Sequence, residues 1–359
     1  MTEDTISGIL DFSKRPLIIS GPCSAETEKQ VMDTAKGLKD LDKVDLFRAG
    51  IWKPRTYPGS FEGVGEVGFP WLKRVKEEYS FPLTVEVAKA KHVELCLEND
   101  IDVLWIGARS TTNPFVVQEI ADAISGVDIP VMVKNPINPD IALWLGAIER
   151  LLKSGASRVA AIHRGFSNLG EKYYRNSPQW QIAIEFRRQY PDIPLICDPS
   201  HICGRRETIF EVSQKAIDLR YDGLMIESHI DPDHAWSDAS QQLTPPAFGA
   251  LMDRLTYRTE HMDDPPIQNE LEMLRNNIDN IDETIIRLLA NRMEISRKIG
   301  HYKKENNVTI FQSKRWNEII NRCVKLAIQE DLSEEFIINY IKAVHDESID
   351  QQENIMNED

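Results

Sequence analysis

Through the first 255 residues, short runs of apolar, β-forming residues alternate with longer stretches whose apolar positions recur at helical spacing. The runs are Leu17 to Ser20, Val44 to Phe47, Leu83 to Val87, Val103 to Ile106, Val131 to Val133, Val159 to Ile162, Leu195 to Cys197 and Leu224 to Ile226. Each intervening segment has room for one helix, as Glu28 to Leu41 and Pro114 to Ile124 illustrate. Eight strands joined by eight crossovers in roughly 250 residues is the arithmetic of an α/β fold, the (β/α)8 TIM barrel. An open doubly wound sheet is the alternative, but no GxGxxG follows the first run.

After Leu255 the pattern changes. Thr256 to Gln268 is polar, contains Pro265-Pro266 and has no period, so it reads as a linker. From Asn269 onward the strand signal is gone. Apolar residues recur three and four apart at Leu271, Leu274, Ile278, Ile281, Ile285 and Leu288, then at Ile295, Ile299 and Tyr302, which predicts one long helix. Arg292 falls where the next core residue belongs. A buried guanidinium is costly unless paired, so the bundle should offer it an anion. Lys303 is eleven residues further on, within about 20° of the same face and roughly 16 Å along the axis, so the two could grip a small dianion. Arg275 projects roughly 100° away from that face. Two shorter helices follow, near Ser313 to Gln329 and Ser333 to Gln351, and Ser348 and Gln352 are i, i+4 neighbours on the last. The expected organisation is a barrel over residues 1–255, a linker over 256–268 and an all-α three-helix domain over 269–359.

Composition narrows the class. The 359 residues suffice for a large barrel with an appendage, and a net charge of -15 argues against a nucleic-acid partner. No apolar run is long enough for a membrane span and the N-terminus lacks the order of a signal peptide, so a cytoplasmic protein is expected. The five cysteines (Cys23, Cys96, Cys197, Cys203, Cys323) show no paired spacing and read as free thiols.

A barrel keeps its chemistry at the C-terminal ends of its strands, and every run here ends in polar or ionisable groups. Gly21-Pro22-Cys23-Ser24 follows the first run and Arg48-Ala49-Gly50-Ile51-Trp52-Lys53-Pro54-Arg55-Thr56 the second; the third contains Glu86. Gly107-Ala108-Arg109-Ser110, Lys134-Asn135-Pro136 and His163-Arg164-Gly165 follow the next three. Asp198-Pro199-Ser200-His201 and Glu227-Ser228-His229 close the series, with Asp238 in the loop beyond. Arg48, Lys53, Arg55, Arg109, Lys134 and Arg164 make a cationic bowl suited to phosphate and carboxylate. Cys23, His201, Glu227 and Asp238 are a mixed S, N and O donor set. They come from strands one, seven and eight, which are neighbours in a closed barrel, so they fit a borderline divalent ion such as Mn, Fe, Co or Zn.

The motifs GPCS, RAGIWKPRT, GAR, VKNP, HRG and DPSH, with the late Glu227 and Asp238, resemble the 3-deoxy-D-arabino-heptulosonate 7-phosphate (DAHP) synthases of type I-beta, over about Leu17 to Leu255. The resemblance implies metal-dependent, aldol-type condensation of phosphoenolpyruvate with erythrose 4-phosphate, the first step of the shikimate pathway. It implies that Arg48, Lys53 and Lys134 hold the phosphoenolpyruvate carboxylate, Arg109 and Arg164 its phosphate, and Arg55 and Thr56 the aldose phosphate. Glu86 and Ala108 would line the same substrate site. Cys23, His201, Glu227 and Asp238 would bind the ion, manganese being the first expectation, and Lys134 is the candidate acid for the new alkoxide. The related 3-deoxy-octulosonate 8-phosphate synthases are less similar, since they carry an asparagine-containing motif where this chain has Lys53-Pro54-Arg55-Thr56.

Asn269 to Gln352 resembles the AroQ-class chorismate mutases, all-helical and usually intertwined homodimers, with Arg275, Arg292, Lys303, Arg315, Ser348 and Gln352 at matching positions. The resemblance implies carboxylate binding by Arg292 and by a partner chain's Arg275, and hydrogen bonds from Lys303 and Gln352 to the breaking ether oxygen. Rearrangement of chorismate to prephenate needs no nucleophile, so positioning and electrostatic stabilisation suffice. Gln312 and Trp316 depart from the usual aspartate and glutamate, and both bear on the substrate hydroxyl. The competing expectation is a synthase whose helical tail serves only as a dimerisation or effector-binding module. About sixteen residues precede the first strand, too few for a separate N-terminal regulatory domain, so feedback by prephenate through the helical domain is the expected control.

Overall fold

The computed structural model describes residues 16–54, 59–168, 170, 173–258 and 265–357. Its first compact unit, Met1–Arg258, is built on eight parallel strands closed into a barrel in chain order. They are β1 (Leu17–Gly21), β2 (Leu46–Arg48), β3 (Leu83–Val87), β4 (Val103–Ile106), β5 (Val131–Lys134), β6 (Val159–His163), β7 (Leu195–Cys197) and β8 (Gly223–Glu227). The barrel closes where β1 pairs with β8 in register from Leu17 opposite Gly223 to Gly21 opposite Glu227. Each of the eight predicted runs contains a strand, the second starting at Leu46 rather than Val44. Several extend one residue further into the polar stretch that follows, so Lys134 and Glu227 are themselves strand residues.

The helices between the strands are α1 (Glu28–Lys39), α2 (Gly68–Tyr79), α3 (Ala90–Glu98), the single turn α4 (Ala108–Thr111), α5 (Pro114–Ala123), α6 (Ile141–Lys153), α7 (Trp180–Gln189), the short α8 (Pro199–Cys203), α9 (Ile209–Asp218) and α10 (Pro245–Arg254). Local chemistry sets several starts: Thr27 accepts from the Gln30 amide, Asp140 from that of Leu143, and Asn113 and Thr244 cap helices that open on proline. Side chains alternate across each strand and so build two cores. Leu17, Ile19, Leu46, Val103, Trp105, Met132, Ala160, Ile162, Ile196 and Met225 fill the barrel interior. The opposite parity, including Ile18, Phe47, Val85, Leu104, Val133 and Ile226, packs under the helices.

The second unit, Thr259–Asp359, consists of α11 (Pro265–Glu305), α12 (Ser313–Gln329) and α13 (Glu334–Asn357). α11 begins four residues before the predicted start, because prolines are tolerated in a first turn, where amides have no intrahelical partner. The predicted linker is correspondingly shorter at its C-terminal end. The apolar stripe expected to form a seam is largely exposed on the single chain: Leu274, Ile278, Ile281 and Leu288 retain 52–61% exposure. Among the described residues no helix is long and apolar enough to cross a membrane.

Candidate active sites

The inward parity that places Leu46, Met132, Ile196 and Met225 inside the barrel continues to its C-terminal rim. Two residues further along the same strands come Arg48, Lys134, Asp198 and Glu227, all buried. Arg48 lies over the Trp105 ring, 5.0 Å from its centroid, and its Nη2 is 3.2 Å from Glu227 Oε1. Lys134 donates to Asp198 Oδ2 at 2.7 Å. Burial alone would raise the Asp198 carboxyl, but His201 and Lys134 outweigh it and hold it well below the usual carboxylate range. Asp198 also caps α8 through the His201 amide and contacts His201 Nδ1 at 2.9 Å, leaving Nε2 turned toward Asp238 Oδ2 at 3.8 Å.

Cys23, Glu227 and Asp238 each bring a donor atom within 4.8 Å of the others. Cys23 Sγ stands 3.2 Å from Asp238 Oδ2 and 2.9 Å from Lys53 Nζ. Burial and then Glu227 push this thiol up, while Lys53 opposes them. Glu227 Oε2 accepts from Gln241 Nε2 at 2.7 Å, whereas the buried Oε1 accepts no hydrogen bond among the described residues. A buried carboxylate oxygen that has the Arg48 guanidinium 3.2 Å away but accepts no hydrogen bond, a thiol crowded by carboxylates and a neighbouring imidazole together fit a divalent cation. His201 stands beside the trio rather than inside it, its Nδ1 3.8 Å from Glu227 Oε1.

The cations expected to meet phosphate lie on loops and on the short α4. Arg164 donates to Asn176 Oδ1 at 2.6 Å, and Asn176 Nδ2 in turn donates to His201 O at 2.6 Å. Burial lowers the Arg164 guanidinium to about 10 against the pull of Asp198, with Arg175 and Arg109 adding to the decrease. Arg109, on α4, is exposed and stands at the rim. Lys53 follows Trp52, whose ring stacks on His92 at 3.8 Å and meets Phe69 edge-on at 5.6 Å, so the loop is anchored beside its cation. Glu86 lies against Gly107, where a Cβ would come within 2.0 Å of Oε1; Ala108 follows directly. Arg55 and Thr56 lie outside the described residues. The sequence places Asp198 at the end of the seventh run without giving it a role, and Arg175, Asn176 and Gln241 were not singled out. Asp198 continues the inner parity of β7; Arg175 and Asn176 sit in a loop and Gln241 in a single 3-10 turn, Ala239–Gln241, where no sequence period points to them.

The helical unit encloses a cavity of about 460 Å³ that contains Arg292, Lys303, Arg315, Ser348 and Gln352, and also Arg322 and His345, which had not been singled out. Arg292 is half-buried and donates to Ser348 Oγ and to Val344 O at 3.3 Å, so the protein oxygens it meets among the described residues are neutral. Lys303 Nζ donates to Gln352 Oε1 at 3.0 Å, and burial lowers its pKa. Gln352 Nε2 donates to Ser296 Oγ at 3.1 Å. Arg275 is exposed, and at seventeen positions before Arg292 it lies roughly 25 Å away along α11, so it does not reach this cavity on its own chain.

The model of the DAHP synthetase I family matches residues 7–262, and that of type II chorismate mutase matches residues 274–353. The chain is 31% identical over 238 residues to a phospho-2-dehydro-3-deoxyheptonate aldolase from Thermotoga maritima, spanning 66% of this chain and 68% of that protein. It is 29% identical over 269 residues to a 2-dehydro-3-deoxyphosphooctonate aldolase from Desulfotalea psychrophila, spanning 69% and 92%. The crystal structure of the Thermotoga maritima DAHP synthase superposes with a TM-score of 0.60 at 31% identity, covering 66% of this chain and 67% of that one. A truncated form of the enzyme from the same organism superposes at 0.57 and 28%, covering 66% and 84%.

Proposed function

Because the chain belongs to the DAHP synthetase I family and carries a type II chorismate mutase domain, we propose that its barrel condenses phosphoenolpyruvate with erythrose 4-phosphate and that its helical unit rearranges chorismate to prephenate. The observation that carries the first half is the meeting of Arg48, Lys53 and Lys134 with the Cys23, Glu227 and Asp238 donors at one end of the barrel. In this reading Arg48, Lys53 and Lys134 bind the carboxylate, while Arg109 and Arg164 bind the phosphate, with Glu86 and Ala108 beside them. Arg55 and Thr56 take the aldose phosphate. Cys23, His201, Glu227 and Asp238 would hold a divalent ion, manganese first among candidates, and such an ion supplies Lewis acidity toward an aldehyde. The Lys134 ammonium, oriented by Asp198, delivers the proton to the new alkoxide. Phosphoenolpyruvate consumption assayed in the presence of metal should be fast with erythrose 4-phosphate and slow with arabinose 5-phosphate. The reverse preference would reassign the aldose.

In the helical unit, Arg292 and Arg315 bind carboxylate, Ser348 orients Arg292, and Lys303 and Gln352 face the ether oxygen, where negative charge develops. The exposed stripe on α11 supports a homodimer whose partner chain supplies the remaining cation, Arg275. The domain assignment follows as barrel 1–255, linker and mutase, and the five free thiols support a cytoplasmic setting. Joining the two activities on one chain further supports inhibition of the synthase by prephenate, which requires that prephenate distinguish two states by about 1–3 kcal/mol. The test titrates prephenate against the full chain and against a chain ending at Arg258. Equal inhibition of both, or none of the full chain, overturns this control.

A further inference from the structure

Charge alone makes the helical cavity bind anions without sorting them. Arg292, Lys303, Arg315 and Arg322 line it, and no carboxylate does among the described residues. Discriminating one dianion from another therefore falls to a neutral polar group. Most of those on the wall are already engaged: Ser348 with Arg292 and Val344 O, Ser296 with Ser348 O, and Gln352 with Lys303. Gln312 is exposed at the start of α12. His345 differs on each count. Its Nε2 is buried and makes no hydrogen bond among the described residues. Its ring stacks on Trp316 with centroids 4.1 Å apart and planes 12° from parallel, so its direction is fixed before any ligand arrives. At three and seven positions before Ser348 and Gln352, it shares their face of α13. Burial lowers the pKa of the imidazole, Asp346 opposing and Arg292 and Lys303 adding to the decrease, which favours the neutral ring, in which one nitrogen donates and the other accepts.

We propose that His345, held in place by Trp316, recognises the hydroxyl of the dianion bound in this cavity and so sets its specificity. The inference rests on the mutase reading, in which that dianion is chorismate. Steady-state kinetics on the full chain, with chorismate and its 4-deoxy analogue, test it. Wild type should show a KM roughly tenfold lower for chorismate, the worth of one hydrogen bond. His345→Phe keeps the stack on Trp316 but lacks the nitrogens; it should lose that preference by raising KM for chorismate alone, with kcat little changed. His345→Gln should restore part of it. Wild type with no preference between the two substrates overturns the inference, and so does a His345→Phe variant that keeps the preference or weakens both substrates equally. If wild type leaves chorismate untouched, the mutase reading falls and takes the inference with it. Turnover of chorismate without discrimination removes the inference alone.

Discussion

Lys134 Nζ and Asp198 Oδ2 lie 2.7 Å apart, both buried at the rim of the barrel, and the same carboxylate caps the turn that carries His201. The anion that steadies the candidate acid thus also orients a candidate metal ligand. Lys134→Ala should lower synthase turnover by roughly 10² to 10⁴. It also leaves the buried Asp198 with His201 but no lysine, and should cost about 3 kcal/mol of barrel stability. In Lys134→Met combined with Asp198→Asn, most of that stability should return, measured by urea unfolding, while turnover stays lost. Recovery of turnover would remove Lys134 from the chemistry.

Cys23→Ala should abolish tight binding of divalent metal and, with it, synthase activity, while chorismate turnover is unchanged. Metal titration followed by calorimetry gives the first result independently of any rate. Wild-type metal affinity in the variant would show that the thiol is not a ligand.

Arg292→Ala should reduce chorismate turnover by about 10²- to 10³-fold, the scale of losing one charge-stabilising donor. Helicity should be retained, since among the described residues Arg292 donates to neutral groups, Ser348 Oγ, Val344 O and the Met293 sulfur. Unfolding of the ligand-free variant would identify Arg292 as a structural member of the bundle.

His163 gives the barrel a defined response to acid. Its Nδ1 accepts from Tyr221 OH at 2.8 Å and its Nε2 donates to Pro178 O at 2.6 Å; burial pushes its pKa down to about 4. A pKa lowered on folding means that its stabilising effect is fully present above roughly pH 6.5 and is lost as pH falls toward 4. Denaturant midpoints measured from pH 7 to 4.5 should therefore decline, and His163→Gln should flatten the decline. His92, also lowered to about 4, keeps some slope in the variant. An unchanged slope would mean that His163 titrates normally.

The strand-borne half of the barrel site was legible because position on a strand fixes direction. Once Met132 and Met225 face inward, Lys134 and Glu227 must do so too. The loop-borne half was not. Arg175 and Asn176 reach Asp238 and Arg164 from a loop, and Gln241 reaches Glu227 from a single 3-10 turn, segments too short or irregular for any period to describe. In the helical unit, Arg292, Lys303, Ser348 and Gln352 were readable from helical spacing. His345 shares their face, yet what it could do depended on Trp316, a residue of another helix. The stripe on α11 was read correctly as apolar, but a periodic sequence does not say whether the surface that covers it belongs to the same chain.

The two-layered barrel core has a consequence for mutagenesis. Along β5, Val131 and Val133 face the helices while Met132 and Lys134 face the interior; along β8, Leu224 and Ile226 alternate with Met225 and Glu227 in the same way. Near the C-terminal rim, stability and chemistry therefore occupy adjacent positions on one strand. A residue-by-residue scan should lower the melting temperature through Val131, Met132 and Val133 or through Leu224, Met225 and Ile226, and then change character at Lys134 or Glu227, one position further on, where the loss is mainly of turnover.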